Sequence, residues 1–211
     1  MMRKINLLVF AGVLLLAGAV GLTAYNLYSE AHAGTVSDAA ITEIIAAVPE
    51  TRPALTEEEV LALPPEEIEE YPDYIVDPYK DLPLITIGDY QYCGTVSIPT
   101  ISIELPVINE CTDAALKTAP CRYEGSAYLN NMVICGHNYK THLGHIRNLA
   151  VGDPVTFTDN KGNVFSYHVT GIETLGAYDS DIMTEGNYGL TLFTCTLGGK
   201  TRVTVRCERD K

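Results

Sequence analysis

A thiol, a guanidinium and an imidazole stand at positions where they could do chemistry together. In Thr191-Leu192-Phe193-Thr194-Cys195-Thr196-Leu197-Gly198-Gly199-Lys200-Thr201-Arg202, two strand-like runs flank a glycine pair suited to a two-residue hairpin turn. With Leu197 and Lys200 beside that turn, Thr196 pairs with Thr201 and Cys195 falls opposite Arg202, their Cβ atoms about 5 Å apart on one face. Alternation sends Leu192, Thr194, Val203, Val205 and Cys207 to the other face, the apolar set a core requires. A permanent cation beside Cys195 favours its thiolate or stabilises an oxyanion formed by its attack. The imidazole is His137, at the end of Val133-Ile134-Cys135-Gly136-His137-Asn138, a run that reads as a buried strand. A histidine at a strand end serves as acid or base if the fold carries it to the thiol. By residue type alone it is equally a structural histidine.

The other histidines and cysteines have weaker claims. Cys135 with His137, His142 and His145 matches neither helical i,i+4 zinc ligation nor a Cys-x-x-Cys clamp, so no metal is expected. His168, inside Phe165-Ser166-Tyr167-His168-Val169, reads as half-buried and structural, and His142 as a bystander. Six cysteines are many for an enzyme that needs one free thiol. Cys111 and Cys121 bracket a short loop they could close, Cys93 and Cys207 could meet, and Cys135 shares strand parity with His137. The alternative is that the surplus thiols are small apolar core residues.

Strands must position this chemistry. From about Tyr92 the chain breaks into β-branched and aromatic runs separated by turn residues, the pattern of a barrel or sandwich. The strand candidates are Cys93–Ile98, Ile101–Ile108, Met132–Gly136, Pro154–Thr158, Val164–Thr174, Leu190–Cys195 and Arg202–Glu208, with a hairpin turn at Asp159-Asn160-Lys161-Gly162. Thr112 caps a short helix over Asp113-Ala114-Ala115-Leu116-Lys117, and Thr141–Ile146 is a second candidate. Ahead of this domain, residues 30–88 are rich in Glu, Pro and Ala and read as an acidic spacer. Within it Thr56 could cap a helix that Pro64 ends.

Charge is unevenly placed. Asn26 to Tyr90 holds 15 acidic and two basic residues, while Gln91 to Lys211 holds 12 acidic and 10 basic. No basic face exists to neutralise a phosphate backbone, so nucleic acid is excluded as a partner. At the N-terminus, Ile5 to Tyr25 is an almost unbroken apolar run of 21 residues, with Asn6 near its edge. As a helix it spans about 30 Å, a bilayer core. Arg3 and Lys4 precede it and Glu30 is the first charge after it, which places the N-terminus in the cytoplasm and the remainder outside. The Ala31-His32-Ala33 sequence has the form of a signal-peptide cleavage site, but the apolar run is long for one. An uncleaved anchor over residues 1–29 is expected.

These residues together resemble the sortases, cysteine transpeptidases of Gram-positive cell surfaces. Thr191-Leu192-Phe193-Thr194-Cys195 fits the family's T-L-x-T-C motif, Gly136-His137 its G-H motif, and Arg202 the arginine of the following strand. Gly94-Thr95-Val96-Ser97-Ile98-Pro99 with Leu105-Pro106-Val107 looks like the opening strand pair, and Val151-Gly152-Asp153-Pro154-Val155 like the G-D-x-V segment. The resemblance implies an all-β fold, an eight-stranded barrel with short helices over residues 89–211, behind the transmembrane helix and acidic linker. It implies that Cys195 attacks the sorting signal of a secreted protein to give a thioacyl enzyme. His137 protonates the leaving amine and deprotonates the incoming one, Arg202 holds the oxyanion or the substrate backbone, and the Thr194 hydroxyl supports them. An amine of a cell-wall precursor or a pilin lysine resolves the intermediate. No cofactor is implied, although some family members bind calcium.

The subclass is mixed. Gly136-His137-Asn138 is reminiscent of class B, yet the 58 positions from His137 to Cys195 are too few for that class's helical insertion. Asp77-Pro78-Tyr79 has the form of the class C lid, but no second apolar segment follows, and an incidental Asp-Pro in the spacer is the expectation. Two other classes compete. A catalytically silent anchored binding domain would have no reactive thiol, and an L,D-transpeptidase would carry a His-Gly-Cys sequence that this chain lacks.

Overall fold

A computed structural model describes residues 2–48, 50–64 and 72–210. The strands are β1 (Arg52–Pro53), β2 (Ile85–Ile87), β3 (Tyr90–Ile98), β4 (Ile103–Ile108), β5 (Cys121–Glu124), β6 (Met132–Gly136), β7 (Pro154–Asp159), β8 (Asn163–Gly176), β9 (Leu190–Cys195) and β10 (Thr201–Arg209). Eight of them close on themselves in the order β3-β7-β8-β10-β9-β6-β5-β4 and back to β3. β1 adds to β8 and β2 forms a hairpin with β3. The expected eight-stranded barrel is therefore present, and β6 and β9 coincide with their candidate runs. β5 escaped the sequence reading because only one residue pair, Ile108 with Cys121, joins it to β4.

Two apolar layers hold the barrel. Inward-pointing residues of alternating strands, among them Val96, Ile134, Phe157, Phe165, Tyr167, Leu192 and Val205, are almost fully buried in one core. Each such side chain contributes about 1.5–3 kcal/mol relative to exposure. The outward faces of β5, β6 and β9 carry a second cluster containing Cys121, Val133, Cys135 and Phe193. The hairpin between β7 and β8 forms where expected. The buried Asp159 carboxylate accepts the N–H groups of Lys161 and Asn163 at 2.8 and 3.0 Å and the Tyr128 hydroxyl at 2.8 Å.

The helices are α1 (Met2–Ala47), α2 (Glu57–Ala62), α3 (Asp73–Val76), α4 (Asp113–Leu116) and α5 (Ser180–Thr184). Thr56 caps α2 in a reciprocal capping box with Glu59, and Thr112 caps α4, both as expected. The second candidate helix is instead a set of turns ending in a 3-10 turn at Ile146–Asn148. The acidic spacer contains more order than its composition suggests. α1 does not stop at Glu30 but runs on to Ala47, and Ala33, Ser37, Ala40 and Ile44 form a buried stripe at helical spacing. Ser37 Oγ donates to the Thr118 carbonyl at 3.0 Å, and Glu30 Oε1 accepts the Lys140 N–H at 2.7 Å. Tyr74 of α3 packs on Tyr128 and Phe165, with its hydroxyl accepting from the Leu55 N–H at 3.0 Å. Asp77 accepts the Tyr79 N–H in a turn that ends α3, and Tyr79 is 84% exposed, so Asp77-Pro78-Tyr79 does not cover a site here. Pro65, Glu66 and Glu67 of the spacer lie outside the described residues. Earlier in α1, residues 7–27 are mostly apolar and exposed, and the helix is long and apolar enough to cross a membrane.

Candidate active site

Three adjacent strands set the geometry. β9 runs antiparallel to β10 with Cys195 opposite Arg202, the register inferred from the glycine pair. The turn itself differs. It closes from the Thr196 carbonyl to the Gly199 N–H at 2.9 Å, with Gly198 at φ +85°, so the loop spans Leu197 to Lys200 instead of two residues. The loop is longer, but the Thr196 N–H still donates to the Thr201 carbonyl and keeps the register.

On its other side β9 runs parallel to β6, with Gly136 beside Thr194. That is the last pair of the ladder, and the next residues are His137, just past the end of β6, and Cys195, which ends β9. Cys195 faces Arg202 across β10, so the three residues stand in a row at one end of three neighbouring strands, with Cys195 on the middle one. This parallel pairing joins segments 58 residues apart and could not be read from local spacing. Gly136 is required for it: a Cβ there would stand 2.9 Å from Leu143 Cγ, where the loop after His137 folds back onto the strand.

His137 is half-buried, and its ring lies against Tyr139 at 4.8 Å, which in turn lies 5.4 Å from the ring of His142. Burial lowers the His137 pKa, the Lys117 cation lowers it further, and Asp113 acts the other way. The shift favours the neutral imidazole, the form able to accept a proton. Arg202 Nη1 donates to the carbonyls of Gly199 and Thr201 at 2.9 and 3.1 Å. Those two bonds brace the side chain against the turn while using only one of its nitrogens.

Thr194 does not share the face of Cys195. It is 1% exposed, and its hydroxyl donates to the Gly136 carbonyl at 2.8 Å. Alternation along β9 dictates this, and the bond ties the Cys195 strand to the residue preceding His137. His142, expected to be a bystander, is fully buried, with the Thr118 backbone beside its ring favouring the charged form only weakly. Burial foremost, then the neighbouring His137, pushes its pKa down to about 4. His168 instead pairs through Nδ1 with Asp210 at 2.6 Å, away from the row.

Arg206 is the residue whose importance sequence reasoning missed. It is 4% exposed, and its guanidinium donates to the carbonyls of Met183 and Ile182 at 2.8 and 2.6 Å, to Thr191 Oγ1 at 3.1 Å and to Glu173 Oε1 at 2.8 Å. Tyr188 stacks over it at 4.9 Å. Arg206 thus pins the β8–β9 connection, including α5, onto the outer face of β9 that bears Cys195. It stands four residues after Arg202 on the same face of β10, but its partners lie in a segment with no pattern of its own.

All six cysteines are free thiols. Cys93 Sγ donates to the Val107 carbonyl at 3.5 Å inside the barrel, and Cys207 is likewise buried. Among the described residues, no group of three or more His, Cys, Asp and Glu side chains is arranged to hold a metal ion.

Residues 96–210 match the sortase domain family. Sortase A of Bacillus anthracis is 29% identical over 111 residues, 50% of this chain and 52% of that protein, so the match spans about half of that relative's length. Among solved structures, a lid mutant of sortase A from Corynebacterium diphtheriae aligns with a TM-score of 0.52 at 23% identity, covering 59% of this chain and 73% of its own, a likeness of fold. Sortase C1 from Streptococcus agalactiae aligns with a TM-score of 0.50 at 27% identity, covering 56% and 67%. With the family model matched over more than half of the chain and the fold aligning with those structures, this chain belongs to the sortase family.

Proposed function

We propose that the chain is a membrane-anchored cysteine transpeptidase with His137, Cys195 and Arg202 as its catalytic residues. The observation that supports this reading is the strand order β6-β9-β10, with His137 following the end of β6, Cys195 ending β9 and Arg202 opposite Cys195. Cys195, as thiolate, attacks the carbonyl carbon of a sorting-signal peptide bond. The tetrahedral oxyanion takes hydrogen bonds from the donors of Arg202 that the turn leaves unused. His137 carries the thiol proton to the departing amine, and the C–N bond breaks to leave a thioacyl enzyme. A cell-wall or pilin amine then attacks, gives its proton to His137 and displaces the Cys195 sulfur. Thr194 acts as a positioning residue, holding β6 and β9 together through Gly136. No step needs a metal or organic cofactor.

In this reading residues 1–29 form a single-pass anchor with a cytoplasmic N-terminus, 30–88 connect it, and 89–211 form the catalytic domain outside the membrane. The substrates are secreted proteins bearing a sorting signal. The test is incubation of the full chain with a library of sorting-signal peptides, followed by intact mass measurement. A thioester adduct on wild type that Cys195→Ala abolishes supports the reading. A chain that binds peptide without ever forming an adduct is a binding module, and the proposal then fails.

A further inference from the structure

Beside the row described above lies a second group of sulfurs that the transpeptidase chemistry does not use. Cys121 of β5 and Cys135 of β6 stand directly opposite each other in antiparallel register. Cys111, in the loop between β4 and α4, brings its Sγ to 3.0 Å from that of Cys135. That is about 1 Å longer than a disulfide bond. Cys121 and Cys135 are buried, whereas Cys111 is partly exposed and lines an open cleft of about 500 Å³ between its loop and β5. One sulfur therefore faces solvent, with two more behind it. Hydrogen bonds from Cys121 and then Cys135 favour the thiolate of Cys111.

Cys195 is not part of this group. Cys135 is in register with Phe193, and Cys195 lies two residues further along β9, about 7 Å by strand rise in addition to the spacing between strands. A disulfide needs Cα atoms no more than about 7 Å apart, so this offset leaves the row's thiol free.

We propose that Cys111 and Cys135 are a modification site that takes up a disulfide outside the cell, pinning the α4 loop to the strand that ends in His137. The oxidant is a small-molecule disulfide or the disulfide of an extracytoplasmic thiol oxidoreductase. Cys111 attacks one of its sulfurs through the cleft, forming a mixed disulfide and releasing the first thiol. Cys135 then attacks Cys111 Sγ and releases the second. Two protein thiols and one external disulfide become one protein disulfide and two external thiols, so protons and electrons balance. The bond closes a loop between residues 24 apart in sequence and fastens α4, whose Asp113 and flanking Lys117 set the field at His137.

The experiment treats the full chain in detergent with oxidised glutathione, then alkylates it under denaturing conditions and measures its mass and peptide map. Reduced protein should carry six alkyl groups and oxidised protein four, since two of the six thiols enter the bond. The oxidised map should contain Cys111 and Cys135 peptides joined, with Cys195 alkylated. For a loop of this length the thermal midpoint should rise by about 10 °C on oxidation. Cys111→Ser should lose the bond and the thermal shift, and Cys121→Ala should keep both. Six alkyl groups after oxidation, a Cys111–Cys121 linkage, a bond to Cys195 or an unresolved glutathione adduct on Cys111 would each overturn the proposal. None of these readouts depends on transpeptidation.

Discussion

Replacing Arg206 with lysine separates charge from geometry at the β8–β9 connection. The guanidinium reaches two carbonyls of α5, a hydroxyl of β9 and a carboxylate of β8 at once, at 2.6 to 3.1 Å. A lysine ammonium is a single point with three donors and cannot span those elements. Each hydrogen bond to a charged partner contributes about 1.5–3 kcal/mol. The bond to Glu173, whose side chain is 43% exposed, is discounted to about 0–1 kcal/mol. The two bonds to the Ile182 and Met183 carbonyls therefore decide the outcome, roughly 3–6 kcal/mol in gross terms. The connection is at the surface and can regain water when it lifts, which caps the global cost at about 1–3 kcal/mol and puts the remainder into local opening. Hydrogen exchange should show the amides of residues 177–189 losing protection by about 10-fold or more in Arg206→Lys, while β3, β7 and the interior core keep theirs. Wild-type protection of that segment would refute the reasoning, because charge alone would then be holding it.

Arg202→Lys keeps the cation but loses the planar fork, and transpeptidation should fall by about 10²–10³-fold with thermal stability unchanged; near-wild-type turnover would reduce Arg202 to a diffuse field. His137→Ala should abolish both formation and resolution of the thioester in single-turnover mass measurements, whereas His168→Ala, remote from the row, should leave both intact. The buried His142 should make stability pH-dependent. The unfolded chain binds a proton below about 6.5 and the folded one only below about 4, so stability is lost as pH falls through that window, by about 3 kcal/mol in all. Denaturant titrations at pH 7 and pH 4.5 should show that loss in wild type and a smaller one in His142→Gln. Protease added to intact protoplasts should digest the barrel while leaving an N-terminal membrane fragment, and protection of the barrel would reverse the assigned topology.

The parts of the fold that could be read from sequence are those fixed by local rules. The facing of Cys195 and Arg202 followed from a glycine pair and a period of two, and it survived a longer turn because the flanking threonines still paired. Thr56 and Thr112 announced their helices through capping chemistry. What stayed hidden depends on distant partners. The parallel β6–β9 pairing, which sets Gly136 beside Thr194, has no local signature and was implied only by the family resemblance. The stripe Ala33, Ser37, Ala40 and Ile44 is made of mostly small side chains, so its periodicity was faint beneath an acidic, spacer-like composition. Arg206 had the parity of a surface residue, and only the connection folding over it turned that position into the interior.

The helix that carries the apolar run is the same helix that packs on the barrel. No joint separates the two, since α1 continues without a break from Leu7 through the stripe that begins at Ala33. A flexible leash would let the barrel sample a hemisphere of positions above its anchoring surface. With residues 1–29 as the proposed anchor, a helix welded to the barrel would instead behave as a post, setting both the height of the Cys195 row and the direction it faces. Height changes by about 1.5 Å and facing by about 100° for each residue of post, so the two are coupled through helix geometry. Under the proposed topology a partner would arrive at one altitude and from one side, and the length of α1 would select substrates independently of the groove itself.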